Sequence, residues 1–219
     1  MSSKKKIAIF DFDKTVIIKD SFIPFLIYCA QKTNSRIRLL YSLIFFGTLF
    51  FTKMISREKA KSRFMSAVLS GCQKSVIKKI CKDFCYSFSN SEFYEDAINL
   101  INWHKTQGHL VILASASPSI YVDFFGDRLG FDHVLATNIF FDKAKKDFYI
   151  PEGHNLLGKQ KLNTIISHYG NNFISIWAYS DSVNDYPLLS WASHGYAINP
   201  SYDFKKKIKN TSIRILKFN

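Results

Sequence analysis

Asp11 and Asp13 stand one residue apart where an apolar run, Ile7–Phe12, ends. Like charges that close repel, and burial strengthens the repulsion. Either both sit in a solvated turn, or something positive draws them together. Two more acids, Asp181 and Asp185, close another apolar run, Asn172–Asp185, and a third run, His109–Ser117, ends in small hydroxyl residues that include Ser115. A helix start further along supplies Lys161, with Lys159 as a nearby and weaker candidate. In open α/β sheets, ligands bind beyond the carboxyl ends of the strands. If the three strands are neighbours, Asp11, Asp13, Asp181 and Asp185 converge, and hard oxygen ligands of that kind suit Mg²⁺. Mg²⁺ with a lysine and a hydroxyl makes a phosphate cradle, here Lys161 and Ser115. Within it, one Asp attacks phosphorus: Asp11 forms an aspartyl-phosphate. Asp13 protonates the leaving oxygen and then deprotonates the water that hydrolyses the intermediate. Strict strand alternation would send the two acids to opposite faces, so this chemistry needs the strand's end to bend. Taken singly, each piece has an ordinary reading: turn, cap or exposed charge. Their order, each at a strand end, is what argues for chemistry.

These residues need elements to hold them. Ile7–Phe12, His109–Ser117, Asn172–Asp185 and His194–Ser201 read as short buried strands, the last as the final core strand. The stretch from His133 to Gly153 reads as a strand and a hairpin around a Lys143–Lys146 turn. Helices are expected up to Gln107 with Gly108 as the stop, after Pro118, and from Gly158 to His168. Strands alternating with helices predict an α/β fold with a mostly parallel, Rossmann-like sheet. The segment from Asp20 to Ser89 has few Gly or Pro and no strand signal, so it interrupts that alternation as a helical insertion. The predicted division is a core of residues 1–19 and 96–219 and an insertion of residues 20–95.

The 219 residues include 47% apolar types and 21 Phe, with a formal net charge of +13. That charge favours anionic partners: phosphate esters, nucleic acid or an anionic membrane face. It concentrates between Ser21 and Asn90, where twelve Lys/Arg face two acids, Glu58 and Asp83. No nucleic-acid motif accompanies it, and Lys205–Lys209 reads as a solvated helix face or tail. Cys29, Cys72, Cys81 and Cys85 form no metal-type pair and read as reduced thiols. The basic start Lys4-Lys5-Lys6 precedes an apolar stretch too short for a signal peptide, so a cytoplasmic protein is expected. Leu39–Thr52 is an uncharged run of fourteen residues, apolar nearly all round as a helix and flanked by Arg36, Arg38, Lys53 and Arg57. It is shorter than the ~20 residues that span a bilayer. Two readings stay open: a buried helix of the inserted bundle, or a peripheral membrane-facing helix at the inner membrane face.

The motifs resemble those of the haloacid dehalogenase (HAD) superfamily of phosphatases. "DFDKT" (Asp11–Thr15), "ILASAS" with Ser115, "GKQKL" with Lys161 and "YSDSVND" with Asp181 and Asp185 appear in that family's order. "SASPSIYVDFFGDRLGFDHVLAT" and "AYSDSVNDYPLLSWASHGYAINP" resemble subfamily IB, the phosphoserine phosphatase-like branch. The resemblance implies a HAD-like core with the helical insertion as a C1 cap over the site. It implies Asp181 as a direct Mg²⁺ ligand, Asp185 as a second acid acting through water, and the backbone carbonyl of Asp13 as a further ligand. Two positions depart from the family: Lys14 stands where Gly or Ser is common, and Ser180 replaces a common Gly. Asp20 sits where phosphoserine phosphatases carry a Glu that reads the substrate's amino group, and Arg63 is a candidate for the cap Arg that binds a substrate carboxylate. The expected function is Mg²⁺-dependent hydrolysis of a phosphomonoester, either a small phosphorylated metabolite or a lipid phosphate. The same branch includes phosphatidylglycerophosphate phosphatases with similarly apolar, basic caps. A non-catalytic phosphate- or membrane-binding module and a phosphotransferase remain as alternatives.

Overall fold

Short runs that are apolar on both faces become strands buried on both faces. In the computed structural model, which describes residues 5–142, 147–170 and 173–219, β1 (Lys5–Phe10) sends Ala8 and Phe10 to one face of a sheet and Ile7 and Ile9 to the other. β2 (Leu110–Pro118) does the same with Val111 and Leu113 against Ile112 and Ala114. With β3 (His133–Thr137), β6 (Phe173–Ser180), β7 (His194–Ile198) and β8 (Arg214–Leu216) they form a six-stranded sheet in the order β3-β2-β1-β6-β7-β8. Every pairing in it is parallel. The fold is therefore α/β with a Rossmann-like sheet, as the alternation predicts. β1 lies between β2 and β6, so the three strand ends that carry Asp11, Ser115 and Asp181 are adjacent. Across one face Phe10 stacks on Tyr179 at 4.4 Å and Tyr179 on Tyr196 at 5.0 Å, locking the register of β1, β6 and β7.

Helices α5 (Glu95–Thr106) and α6 (Ser119–Leu129) cover that aromatic face, and α7 (Lys159–Tyr169), α8 (Tyr186–Trp191) and α9 (Tyr202–Ile208) cover the other. Gly108 ends the α5 segment with φ +69°, a left-handed turn that favours glycine. β7 reaches α8 only because residue 195 is Gly: a Cβ there would collide with the Leu189 carbonyl oxygen. β4 (Phe140–Asp142) and β5 (Asp147–Tyr149) pair antiparallel, as the expected hairpin requires; its turn, 143–146, lies outside the described residues. The sequence expectation of His194–Ser201 as the final core strand needs correction, because β8 follows it on the sheet edge. Three residues, two of them exposed and one of those Arg214, give no periodic signal.

Between β1 and α5 lie α1 (Phe22–Lys32), α2 (Arg36–Phe51), α3 (Arg57–Leu69) and α4 (Lys74–Ser87). Their inner residues Phe25, Met65, Cys81 and Phe84 join the aromatic-face cluster of the sheet, with Phe84 edge-on to Tyr121 of α6 at 5.6 Å. α3 also sits on the hairpin. Ser62 and Ser66 accept the Ile150 and Phe148 backbone N–H groups at 3.0 and 2.9 Å. Cys29, Cys81 and Cys85 are buried free thiols. The buried-helix reading of Leu39–Thr52 is overturned: in α2 only Leu39 and Ser42 are buried, because a single layer of neighbours covers just one side of the helix. Among the described residues no helix is long and apolar enough to cross a membrane.

The Gly195 contact gives a direct test. Gly195→Ala forces β7 from α8 and is expected to cost about 1–3 kcal/mol, read as a lower urea midpoint at unchanged m-value.

Candidate active site

The opening acids share one side because the chain wraps tightly after β1. Asp11 N–H continues the ladder to the Tyr179 carbonyl at 2.9 Å. The N–H groups of Thr15, Val16 and Ile17 then all point at the Phe12 carbonyl, at 3.3, 2.9 and 3.1 Å. Lys14 makes the turn with φ +57°, the left-handed region that explains why Gly suits this position. Asp13 comes to rest with Oδ1 accepting the Ser21 N–H and Oδ2 accepting the Ser117 hydroxyl, both at 2.6 Å. Thr15 Oγ1 accepts the Asp181 N–H at 3.0 Å, tying this turn to the end of β6.

Lys161 lies in the first turn of α7, 1% exposed, between two carboxylates: Nζ donates to Asp11 Oδ1 at 2.9 Å and to Asp185 Oδ2 at 2.5 Å. Gly158 lets that turn approach; with φ +60° it puts its Cα where a Cβ would lie 3.1 Å from the Asn184 carbonyl. Lys159, the competitor, is exposed. Ser180 donates its hydroxyl to Asp185 Oδ2 at 2.8 Å and stands 3.4 Å from Asp11 Oδ2, so the family departure at this position adds a donor between the acids. Burial pushes the Asp11 carboxyl up to about 7, with Lys161 opposing and Asp185 and Asp181 adding to the rise. Burial likewise raises Asp181 to about 6, with Lys14 opposing, and raises Asp13 against its serine hydrogen bonds. For Lys161, burial lowers the ammonium's pKa, but Asp11 and Asp185 outweigh it and hold the group above the usual lysine range.

A cavity of about 540 Å³ opens here, lined by Asp11, Asp13, Lys161, Asp181 and Asp185 together with Lys14, Asp20 and Ser182. Ser115 is buried beneath it, its Oγ accepting the Ser117 N–H at 3.0 Å; the lining residues of this segment are Ala116 and Ser117. Asp20 lines the rim while its carboxylate accepts the Phe22 N–H at 3.0 Å, capping the start of α1. Arg63 does not reach the cavity and this expectation is corrected: its guanidinium pairs with Asp147 of the hairpin at 2.6 Å. The basic groups that do reach it from α3 are Arg57 and Lys61, one turn apart on one face, whereas Arg63 is two residues further round the helix. Lys61 Nζ crosses to the core, donating to the Ala116 carbonyl at 2.7 Å and to Asn155 Oδ1 at 3.0 Å. Burial, with Arg57 nearby, lowers it to about 8. The i, i+4 pairing of Arg57 and Lys61 was visible in the sequence, but which face of α3 meets the site was not.

The donors suit a hard cation. Asp185 Oδ1 is buried with no hydrogen-bond partner, and the neighbouring carboxyls are held above their usual range by burial. Among the described residues no three His, Cys, Asp or Glu side chains already form a metal-holding group. A cation's coordination would therefore draw on main-chain, phosphate or water oxygens as well as Asp side chains.

Removing Lys161 tests the ion cluster. Lys161→Met leaves two buried carboxylates uncompensated, a change that costs about 3–5 kcal/mol. Asp11 already stands at about 7 with the lysine present. A group with its folded pKa raised above the unfolded value contributes stability fully present below the unfolded pKa and lost as pH rises through the folded one. The deficit of Lys161→Met is thus expected to be largest above pH 7 and to shrink on acidification, measured by urea unfolding against pH.

Three comparisons place this geometry among known proteins. A probable phosphatase of Mycobacterium tuberculosis is 25% identical over 214 residues, covering 96% of this chain and 75% of the relative. A protein of unknown function from Bordetella pertussis Tohama I shares the fold with a TM-score of 0.79 at 20% identity, covering 98% of this chain and 99% of the other. A phosphoserine phosphohydrolase-like protein from Francisella tularensis superposes with a TM-score of 0.63 at 20% identity, covering 95% and 94%. The family model of haloacid dehalogenase-like hydrolases matches residues 8–190, from the strand that leads into Asp11 through the helix that follows Asp185, and the chain belongs to that family.

Proposed function

We propose that this protein is a Mg²⁺-dependent phosphomonoesterase that works through an aspartyl-phosphate on Asp11. The observation that carries the reading is the buried Asp11–Lys161–Asp185 cluster at the floor of a cavity also lined by Asp13 and Asp181. The family membership and the phosphatase among the relatives support it. Asp11 Oδ2 faces Ser180, and Oδ1 is held by Lys161, so the nucleophile is oriented before substrate arrives. Asp13, with its pKa raised by burial, keeps a proton for the leaving oxygen more readily than a solvated acid, then takes one from the attacking water. Its two serine hydrogen bonds set the direction of the carboxyl. Asp181, Asp185 and Asp11 would hold Mg²⁺, which supplies charge neutralisation at the transferring phosphoryl group. Lys161 neutralises further charge from below. Ser115 fixes the backbone of Ala116 and Ser117 through its Oγ, so its contribution to phosphate binding runs through that loop as well as its hydroxyl.

The cavity's upper wall comes from the helical insertion, read here as a cap of residues 20–95. Arg57 and Lys61 bring cations to it, and Phe22, Phe50 and Phe64 an apolar surface. Arg57, Lys61 and Asp20 are therefore assigned to the substrate's leaving group, with Asp20 also serving as a helix cap. Arg63 is left out of that set. Asp13 as base would serve water or a second alcohol alike, so product analysis with competing alcohols separates hydrolysis from phosphotransfer.

Phosphate release from p-nitrophenyl phosphate with Mg²⁺ tests the reading. Asp11→Asn is expected to show no turnover above the buffer blank, and Asp13→Asn to lose about 10²–10⁴ in kcat. EDTA should abolish the wild-type rate and excess Mg²⁺ restore it. A wild type no faster than Asp11→Asn would sink the proposal and favour a binding module. Lys61 supplies a pH signature. Its ammonium loses its proton near pH 8, so wild-type KM should rise as pH passes about 8, whereas Lys61→Arg, which stays charged, should keep a flat KM there.

A further inference from the structure

The outer face of α2 inverts the usual arrangement of a surface helix. Ile37, Leu40, Tyr41, Ile44, Phe45 and Phe51 recur at the spacing of one helical face, and all are between 46% and 85% exposed. Met54, just beyond the helix, is exposed as well. The opposite face packs inward through Leu39 and Ser42. A continuous exposed apolar surface of this kind marks an interaction site.

Charge decides what covers it. α2 carries no acid, Arg36 and Arg38 stand at its start, and Lys53 follows its end. Both ends being basic, a second copy of this face meets like charge whether the two helices pair parallel or antiparallel. An anionic bilayer satisfies both features together: the stripe enters the boundary between headgroups and acyl chains, and the flanking cations meet lipid phosphates. At sixteen residues α2 is about 24 Å long, too short to cross a hydrocarbon core of ~30 Å, so it lies in the plane of the interface. The end of α2 borders the cavity through its other face: Phe50, on the same side as Leu39, and Arg57 over its ring line the cavity.

We propose that the exposed face of α2 docks the cap onto an anionic lipid bilayer, holding the cavity that the end of α2 borders close to phosphate groups at the membrane surface. The docking stands on the stripe and its charges alone. Its catalytic consequence, a lipid-borne phosphomonoester as substrate, rests on the phosphatase reading above.

The test is co-sedimentation with vesicles of phosphatidylcholine alone and of phosphatidylcholine with 30% phosphatidylglycerol (about a third anionic, a moderate surface charge), beside hydrolysis of p-nitrophenyl phosphate. Wild type is expected to pellet with the anionic vesicles, less so in high salt, and to remain in the supernatant with neutral ones. The combined variant Ile37→Ser/Tyr41→Ser/Ile44→Ser should lose at least about tenfold in vesicle affinity while retaining its melting temperature and its rate on the soluble ester. Arg36→Glu/Arg38→Glu, which leaves the apolar stripe intact, should lose binding too and decides the matter if the serine variant does not fold. Wild type that stays in the supernatant with anionic vesicles, or a folded serine variant that pellets as well as wild type, overturns the proposal. So does a dimer in sedimentation velocity that the serine substitutions dissolve without any vesicle binding. Vesicle binding by a wild type that does not hydrolyse the soluble ester would leave docking in place and remove the phosphatase reading instead.

Discussion

Lys161 holds a fully buried ammonium between the carboxylates of Asp11 and Asp185, and the rest of the site is arranged around that contact. An ion cluster so deep gains little net stability, because the desolvation of each charge offsets most of the mutual attraction. Its persistence is better explained by what it positions. Asp11 comes from the end of β1, Asp185 from the turn after β6 and Lys161 from the start of α7, so one ammonium joins three elements that are distant in the chain. The parallel sheet makes this possible by placing β2, β1 and β6 side by side with their carboxyl ends together. Burial then raises Asp11 and Asp181, and the partnerless Asp185 Oδ1 shows that the positive charge present does not use all the oxygens offered.

The helical insertion adds what the sheet lacks. Its inner residues share the apolar cluster of the core, and α3 is tied to the hairpin through Ser62, Ser66 and Arg63, so its orientation over the cavity is set by several contacts of different kinds. That orientation turns Arg57 and Lys61 inward. Lys61 hydrogen-bonds two neutral oxygens of the core, which places a cation of lowered pKa above the acids without neutralising them directly. The same four helices leave the far side of α2 uncovered, because a bundle this thin has an inside on only one side of that helix.

Much of this was readable from the chain in order. Acids at the ends of successive apolar runs signalled strand ends, and their order along the chain, more than any one of them, signalled chemistry. The helical insertion was legible from the absence of strand signals between Asp20 and Ser89. Other features carried no local signal. β8 is too short and too exposed to show a period. Ser180 reads as a minor replacement until its hydroxyl is found between Asp11 and Asp185. Ser117 lines the cavity and bonds Asp13, while Ser115, the more obvious hydroxyl, lies beneath it.

By itself the sequence determined the α/β alternation and the order of the segments that bring Asp11, Asp13, Lys161, Asp181 and Asp185 to one cavity, because strand burial and local charge are properties of neighbouring residues. Only the tertiary structure decided which face of α3 meets the site, and so that Arg57 and Lys61 enter the cavity while Arg63 pairs with Asp147. It alone decided that the apolar run of α2 is packed on one side and bare on the other. The physical reason is the same in both cases. A helix of mixed or uniformly apolar character has no intrinsic inside, and its rotation is set by the elements it packs against, which are distant in the chain.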